Sequence, residues 1–352
     1  MALTSLRQIL DHAAEHSYGM PAFNVTNLES ILAVLSAAEK TNSPALIQVS
    51  QSARKYADDY FLAAMFVAAA RRYPDVPLCV HQDHGSSPAV CREAMGIGCS
   101  SVMMDGSLEA DGKTPSSYEY NVNVTVEVVR LAHAQGVSVE GELGVLGSLE
   151  TGGGEQEDGH GVEGTLSRVH LLTDPDQALD FVKGTGVDAL AVAIGTSHGA
   201  YKFSRKPTGD LLALDVIAAI HAKLPNTHLV MHGASEVPKE LQDLINANGG
   251  AIPETYGVPT EEVVKSIRHG VRKVNIDTDL RMAMTGSVRE YLKANPKSID
   301  VRAMNKGGIQ RMEKLCIDRF EQFGAAGKAN SFKSIPLADM AKRYVDGSLR
   351  QV

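Results

Sequence analysis

The sequence predicts an α/β protein closed as a (β/α)8 TIM barrel, and three observations carry that reading. Eight short β-rich runs recur along the 352 residues, several of them near-continuous in apolar side chains, as strands buried on both faces of a parallel sheet are. Helix-like segments separate them, and eight alternations in one chain favour a barrel over an open sheet. No G-x-G-x-x-G follows the first strand, which weakens the doubly wound nucleotide-binding alternative.

The elements follow in order. MALTSLRQILDHAAEH at the start has apolar residues at helical spacing with charges throughout, so it reads as a helix rather than a signal peptide. The strands are PAFNV (21–25), PALIQVS (44–50), PLCVHQD (77–83), SSVMMD (100–105), VSVEGEL (137–143), ALAVAIG (189–195), HLVMHG (228–233) and VRKVNID (271–277). Residues 27–41, NLESILAVLSAAEKT, form an amphipathic helix. Residues 117–136 are rich in β-branched side chains, yet a parallel crossover requires a helix there. The Gly- and Glu-rich stretch 144–165, GVLGSLETGGGEQEDGHGVEGT, is a long loop of the kind that carries function, and its glycine density suits a mobile lid. Residues 287–352 read as a C-terminal helical extension, an arm or cap on a single barrel domain spanning 1–352. No internal repeat or linker interrupts the chain.

Composition narrows the function classes. With 43% hydrophobic and 22% charged residues the chain is globular, and with aromatics at 5% and no Trp its core is aliphatic. A net charge of −8 argues against nucleic-acid binding. No window approaches the ~20 apolar residues of a membrane span. Cys79, Cys91, Cys99 and Cys316 form no C-x-x-C pair, which points to reduced thiols and a cytoplasmic protein.

Barrel enzymes carry their reacting groups at the C-terminal strand ends. Here those ends hold Asp83 and His84 (strand three), Asp105 (four), Glu140 and Glu142 (five), Ser197-His198-Gly199 (six), His232-Gly233 (seven) and Asn275-Ile276-Asp277 (eight). So many carboxylates and imidazoles at one rim are hard to explain as packing, because buried charge is costly unless paired or bound to metal. His84, His198 and His232 come from three separate strands, and three imidazoles with an open fourth position are a catalytic zinc arrangement. Asp83, aimed away from His84 by strand alternation, is left for proton transfer. His81 points into the barrel as support, and the remaining histidines lack such a setting.

At these residues the sequence closely resembles the class II, metal-dependent fructose-1,6-bisphosphate aldolases, in particular the Calvin-cycle subtype. PAFNV, HQDHG, SVMMDGSLEADGKTP, EGELG, GTSHGAYK, HGAS and KVNIDTD carry the likeness nearly end to end. The resemblance implies that His84, His198 and His232 bind Zn2+ and that Asp83 exchanges the proton of the C4 oxygen. It implies that Glu142 approaches the metal when the site rearranges, and that Asp105 and Glu140 hold the ligand shell. A second divalent ion is compatible with this acidic set. In the loop, Glu157 best matches the glutamate that takes the C1 proton of dihydroxyacetone phosphate, with Glu155 as competitor. Phosphate falls to Gly199, Gly233, Ser235 and Thr278, with a monovalent cation (Na+ or K+) on the backbone carbonyls near Ser197, Gly199 and Gly233. Asn24, Ser50, Asn275 and Asp277 match substrate contacts. Lys306 matches a basic residue reaching the second phosphate from a neighbouring subunit, which implies a homodimer or homotetramer. Two departures stand out: Ala234 replaces a frequent Gly or Ser, and Lys306 replaces an Arg found in some relatives.

The implied reaction is reversible cleavage of fructose 1,6-bisphosphate to dihydroxyacetone phosphate and glyceraldehyde 3-phosphate, with sedoheptulose 1,7-bisphosphate as a further substrate. The alternative is the tagatose 1,6-bisphosphate epimer. A Schiff-base lysine is disfavoured because Lys273 lies within a strand rather than at its mouth. A metal-dependent hydrolase is disfavoured because PAFNV lacks an H-x-H pair, and a non-catalytic sugar-phosphate binder would not need the acid–base set.

Overall fold

The computed structural model describes residues 3–147, 149, 153–154, 162, 164–166, 171–205 and 212–349. In chain order the strands are β1 (Met20–Asn24), β2 (Ala45–Ser50), β3 (Leu78–Gly85), β4 (Ser101–Met104), β5 (Ser138–Leu143), β6 (Gly153–Gly154), β7 (Gly164–Thr165), β8 (Ala189–Val192), β9 (His228–Met231) and β10 (Val271–Ile276). β6 and β7 pair only with each other, as an antiparallel ribbon inside the predicted loop. The other eight are parallel and close on themselves, β10 lying between β9 and β1. The barrel is therefore the predicted one. Its sixth and seventh strands stop at Val192 and Met231, earlier than the apolar runs suggest, so His198 and His232 sit on loops.

The helices are α1 (Leu6–Glu15), α2 (Leu28–Thr41), α3 (Gln51–Ala57), α4 (Asp59–Arg72), α5 (Pro88–Gly96), α6 (Tyr118–His133), α7 (Pro175–Thr185), α8 (Leu214–Lys223), α9 (Lys239–Ala247), α10 (Thr260–Arg268), α11 (Thr278–Ala294), α12 (Val301–Gln322) and α13 (Leu337–Val345). Local chemistry fixes several ends. Asn27 and Ser30 form a reciprocal capping box on α2, which stops at Asn42 in the left-handed region (φ 51°). Asp174 caps α7 ahead of Pro175, and Gly186 ends it with φ 74°. α6 is helical despite its β-branched content. Ser117 caps it, and Asn121, Thr125, Val128, Val129 and Ala132 make its buried face. Burial of that face outweighs the few tenths of a kcal/mol per residue that β-branching costs a helix.

α1 plugs the N-terminal end of the barrel. Leu6, Ile9, Leu10 and Ala13 are fully buried against strands β1, β3, β5, β9 and β10. With that end sealed, the C-terminal strand ends are left to open into a cavity. The helical extension begins later than the predicted residue 287, because α11 runs on unbroken to Ala294. α12 then packs against both α11 and α2, and α13 against α6. No helix among the described residues is long and apolar enough to cross a membrane.

Candidate active site

The site starts from an irregularity in β3. The β3–β4 register shifts between Gln82 and Gly85, and within that bulge His84 adopts φ 47°. Such a bulge re-aims side chains at the end of a strand. This corrects the expectation that alternation sends Asp83 and His84 to opposite faces, since both line the same cavity. Asp83 is buried and accepts from Asn24 Nδ2 (2.9 Å), Gln48 Nε2 (3.1 Å) and Asn275 Nδ2 (3.3 Å). These donors come from β1, β2 and β10. Asn24 stands opposite Gln48 in register, and Ser50 opposite Asp83.

The three histidines converge. One ring nitrogen from each of His84, His198 and His232 lies within 4.8 Å of the others, and ring centroids are 4.7 to 5.8 Å apart. Two carboxylates fix the orientation of two rings. Asp105 Oδ2 lies 2.9 Å from His84 Nδ1, and Glu140 Oε1 lies 2.8 Å from His232 Nε2. An ionised carboxylate only accepts, so those two nitrogens carry the protons. His84 Nε2 and His232 Nδ1 therefore face each other, 3.0 Å apart. Two nitrogens on one tetrahedral zinc, with bonds of ~2.1 Å, stand roughly 3.4 Å apart, so a small opening of the pair admits the ion. Carboxylates that orient ligating imidazoles are the usual second layer of such sites.

Supports lie below. Asp105 Oδ1 accepts from the Ser107 amide (3.1 Å) and hydroxyl (2.6 Å). Glu140 Oε2 pairs with the fully buried Lys273 (2.8 Å) and lies 3.4 Å from His81, whose Nδ1 meets Ser101 Oγ at 2.9 Å. Lys273 is thus an internal counter-ion, and His81 a support as expected. Glu142 Oε2 accepts no hydrogen bond among the described residues and stands 3.7 Å from His84 Nδ1. His84, Asp105 and Glu142 offer a second metal-sized grouping. It would use the His84 nitrogen that already donates to Asp105, so an ion there has to break that bond.

The electrostatics ask for a cation. Burial works against a charged His84, but Asp83, Asp105 and Glu142 outweigh it and push its pKa up to about 10. A proton then sits on Nε2, between the rings, where an ion would sit. Burial first and Asp105 second raise Glu142 well above the usual carboxylate range. Burial opposes ionisation of Glu140 and Asp83 too, yet Lys273 and His232 hold Glu140 down to about 2, and His84 and Lys273 lower Asp83. Burial, reinforced by His84, keeps His198 well below the ordinary imidazole value, and burial lowers His232. Neutral imidazoles and excess carboxylate are what a divalent ion requires.

Above lies a cavity of about 340 Å³. Of the predicted contacts, Asn24, Ser50, Gly233, Ser235, Asn275, Asp277 and Thr278 line it, whereas Gly199 and Lys306 do not. Lys306 is exposed on α12. Gly199 and Gly233 take φ 82° and 64°, values that favour glycine, in the turns after the sixth and seventh barrel strands. Thr278 opens α11, whose N-terminus favours anions. Glu155 and Glu157 lie outside the described residues. Sequence reasoning missed Gln48, a polar residue inside the apolar run PALIQVS, and Lys202, in the quoted motif GTSHGAYK. Lys202 is 2% exposed and donates through Nζ to the carbonyls of Ser197 (2.9 Å) and Gly233 (2.5 Å). Those are two of the carbonyls on which a monovalent cation was expected.

Comparison with known proteins is consistent along the chain. A family model described as "Fructose-bisphosphate aldolase class-II" matches residues 4–328. The fructose-bisphosphate aldolase of Nostoc sp. is 61% identical over 352 residues, covering 100% of this chain and 98% of that protein. Fructose-bisphosphate aldolase 2 of Cereibacter sphaeroides is 60% identical over 349 residues, 99% of each. Among solved structures, the YdjI aldolase from Escherichia coli K12 superposes with a TM-score of 0.68 at 27% identity, over 93% of this chain and 99% of that one. A match running from the plug helix to the C-terminal helices, on a barrel whose mouth gathers three imidazoles and an ionised aspartate, has one consequence: the chain belongs to the class II fructose-bisphosphate aldolases.

Proposed function

We propose that this enzyme, a member of a metal-dependent aldehyde-lyase family, uses Zn2+ held by His84, His198 and His232 to cleave fructose 1,6-bisphosphate reversibly. The single observation that carries the metal is the meeting of His84 Nε2 and His232 Nδ1, the other ring nitrogens being tied to Asp105 and Glu140. When bound, the ion supplies Lewis acidity toward a ketone oxygen. Asp83, ionised and held by three amides, removes the proton of the C4 hydroxyl in cleavage and returns it in condensation. Glu157, with Glu155 as competitor, exchanges the C1 proton of dihydroxyacetone phosphate. Gly233, Ser235 and Thr278 seat the ketone-side phosphate, and Asn24, Ser50, Asn275 and Asp277 position the carbon chain.

Sedoheptulose 1,7-bisphosphate presents the same reacting end and is proposed as a second substrate. The tagatose epimer is set aside, since both near relatives carry the fructose name. Lys306 of a neighbouring copy is proposed for the distal phosphate, in a homodimer or homotetramer. The four cysteines are buried and free, which suits a reducing cytoplasm. The test is metal removal. Protein treated with a tight chelator loses fructose 1,6-bisphosphate cleavage, and stoichiometric zinc restores it; full activity without metal rejects the mechanism.

A further inference from the structure

The ring order places β4 diametrically opposite β10, and β3 opposite β9. Gly233, Ser235 and Thr278, assigned above to the ketone-side phosphate, follow β9 and β10. Asp83, assigned to the C4 oxygen, stands across the barrel on β3. Whatever the substrate carries beyond C4 therefore falls against the wall that follows β2 and β4. Part of that wall has no role in the mechanism above: Ala110, Asp111 and Gly112, between β4 and α6, line the cavity. Their segment is a closed hairpin. Leu108 and Pro115 form an antiparallel bridge, the Glu109 amide donates to the Thr114 carbonyl (2.7 Å), and the Gly112 amide donates to the Glu109 carbonyl (2.8 Å). Asp111 gathers the turn, accepting from the amides of Lys113 (2.8 Å) and Thr114 (2.9 Å) and from the Thr114 hydroxyl (2.7 Å). Gly112 is buried with φ 69°, a conformation that favours glycine. At the base, Ser107 donates to Asp105, which in turn holds His84. A tip braced at both ends stands at a set distance from the three imidazoles.

We propose that the hairpin over residues 107–116 gauges substrate chain length, its tip at Ala110, Asp111 and Gly112 limiting the room beyond C4. The inference rests on the reading of this cavity as an aldolase site, and deepens it by naming what selects the aldehyde half. The ketone half is common to every substrate of this reaction. Discrimination among aldehydes has to come from walls that the ketone does not touch. A six-carbon and a seven-carbon bisphosphate differ there by one carbon unit, and one such unit against a fixed wall is worth ~10–200-fold in kcat/KM. The enzyme accordingly prefers the three-carbon aldehyde phosphate to the four-carbon one, and the hairpin tip carries that preference.

The experiment condenses dihydroxyacetone phosphate with glyceraldehyde 3-phosphate or erythrose 4-phosphate, using zinc-loaded wild type and two variants. In the first, Asn-Gly replaces residues 110–113, a two-residue turn that the existing Glu109–Thr114 hydrogen bond accommodates. The second is Ala110→Leu, at an exposed position that crowds the cavity mouth and leaves the core alone. The shortened hairpin is expected to lower the kcat/KM preference for glyceraldehyde 3-phosphate about tenfold, and Ala110→Leu to raise it about as much. Exchange of the C1 proton of dihydroxyacetone phosphate, measured without aldehyde, stays within about twofold of wild type in both. An unchanged preference in both variants overturns the proposal. So does exchange that falls in step with condensation, which would make the hairpin a support for His84 through Asp105. Should the shortened variant fail to fold, Ala110→Leu decides alone. Wild type that exchanges the proton, with variants that keep its preference, sinks only this inference. Wild type that neither exchanges nor cleaves sinks the reading beneath it.

Discussion

His84 holds its imidazole on a left-handed backbone, a conformation that costs a non-glycine residue about 1–3 kcal/mol. The return is that neighbours in sequence become neighbours across the site: His84 turns to Asp105 and His232, while Asp83 turns to the amides of Asn24, Gln48 and Asn275. Asp83 supports none of the three clustered imidazole rings by hydrogen bond, so on the proposed mechanism its removal separates chemistry from metal binding. Asp83→Ala is expected to lower kcat by roughly 10²–10⁴-fold with zinc content unchanged. Zinc loss in that variant, read by atomic absorption, would move Asp83 into the ligand set. The residue types of the site were legible in the sequence because strand ends are where a barrel does chemistry. The joint facing of Asp83 and His84 was not, because the register shift is set by pairing with β4. Lys202 was overlooked for a related reason: two of its partners are carbonyls, which leave no trace in a pattern of side chains.

Among the elements, α6 shows where propensity gives way. A run such as NVNVTVEVV reads as strand by composition, but β4 and β5 are parallel neighbours and the segment between them has to cross over. Topology predicted the helix that composition argued against. The far end of α6 leads into Gly136 (φ 74°), against which the start of α13 is laid: a Cβ there would meet the Leu337 backbone. Gly136→Ala is expected to cost more than about 1 kcal/mol, since it combines a positive φ with a clash against backbone that cannot rotate away. The signature is a lower melting temperature with earlier proteolysis near residue 337. Unchanged stability would mean that α13 is readily displaced. The start of the helical extension was illegible for the opposite reason: α11 continues past 287 with no breaker until the Asn295-Pro296 pair, and helix length carries no signal of where the barrel's own ring ends.

At the scale of the whole molecule, Asp188 ties the sealed end of the barrel together. It accepts from His133 of α6 (2.8 Å), the Val139 amide of β5 (2.8 Å) and Tyr344 of α13 (2.8 Å), with Arg7 of α1 at 3.5 Å. Burial opposes its charge, but His133 and Arg7 lower its pKa below the ordinary value. A depressed carboxylate stabilises the fold above its unfolded pKa of ~3.9, and that contribution disappears as pH falls through the lower folded value. Asp188→Asn is therefore expected to cost about 3–5 kcal/mol near neutral pH, and the gap to wild type should close on acidification below pH ~4. Denaturant midpoints at the two pH values test it, and a gap that stays constant would assign the loss to packing rather than charge.

The eightfold alternation announced the barrel, but it could not say in what sequence the ring is completed. β10 is the last strand made and is also the one that joins β9 to β1. On the ribosome, the emerging chain has two unpaired sheet edges until β10 clears the exit tunnel, although His84, His198 and His232 are all synthesised before it. A product truncated before β10 can therefore carry all three imidazoles and still lack Asn275 and Thr278, which leaves one wall of the cavity unbuilt.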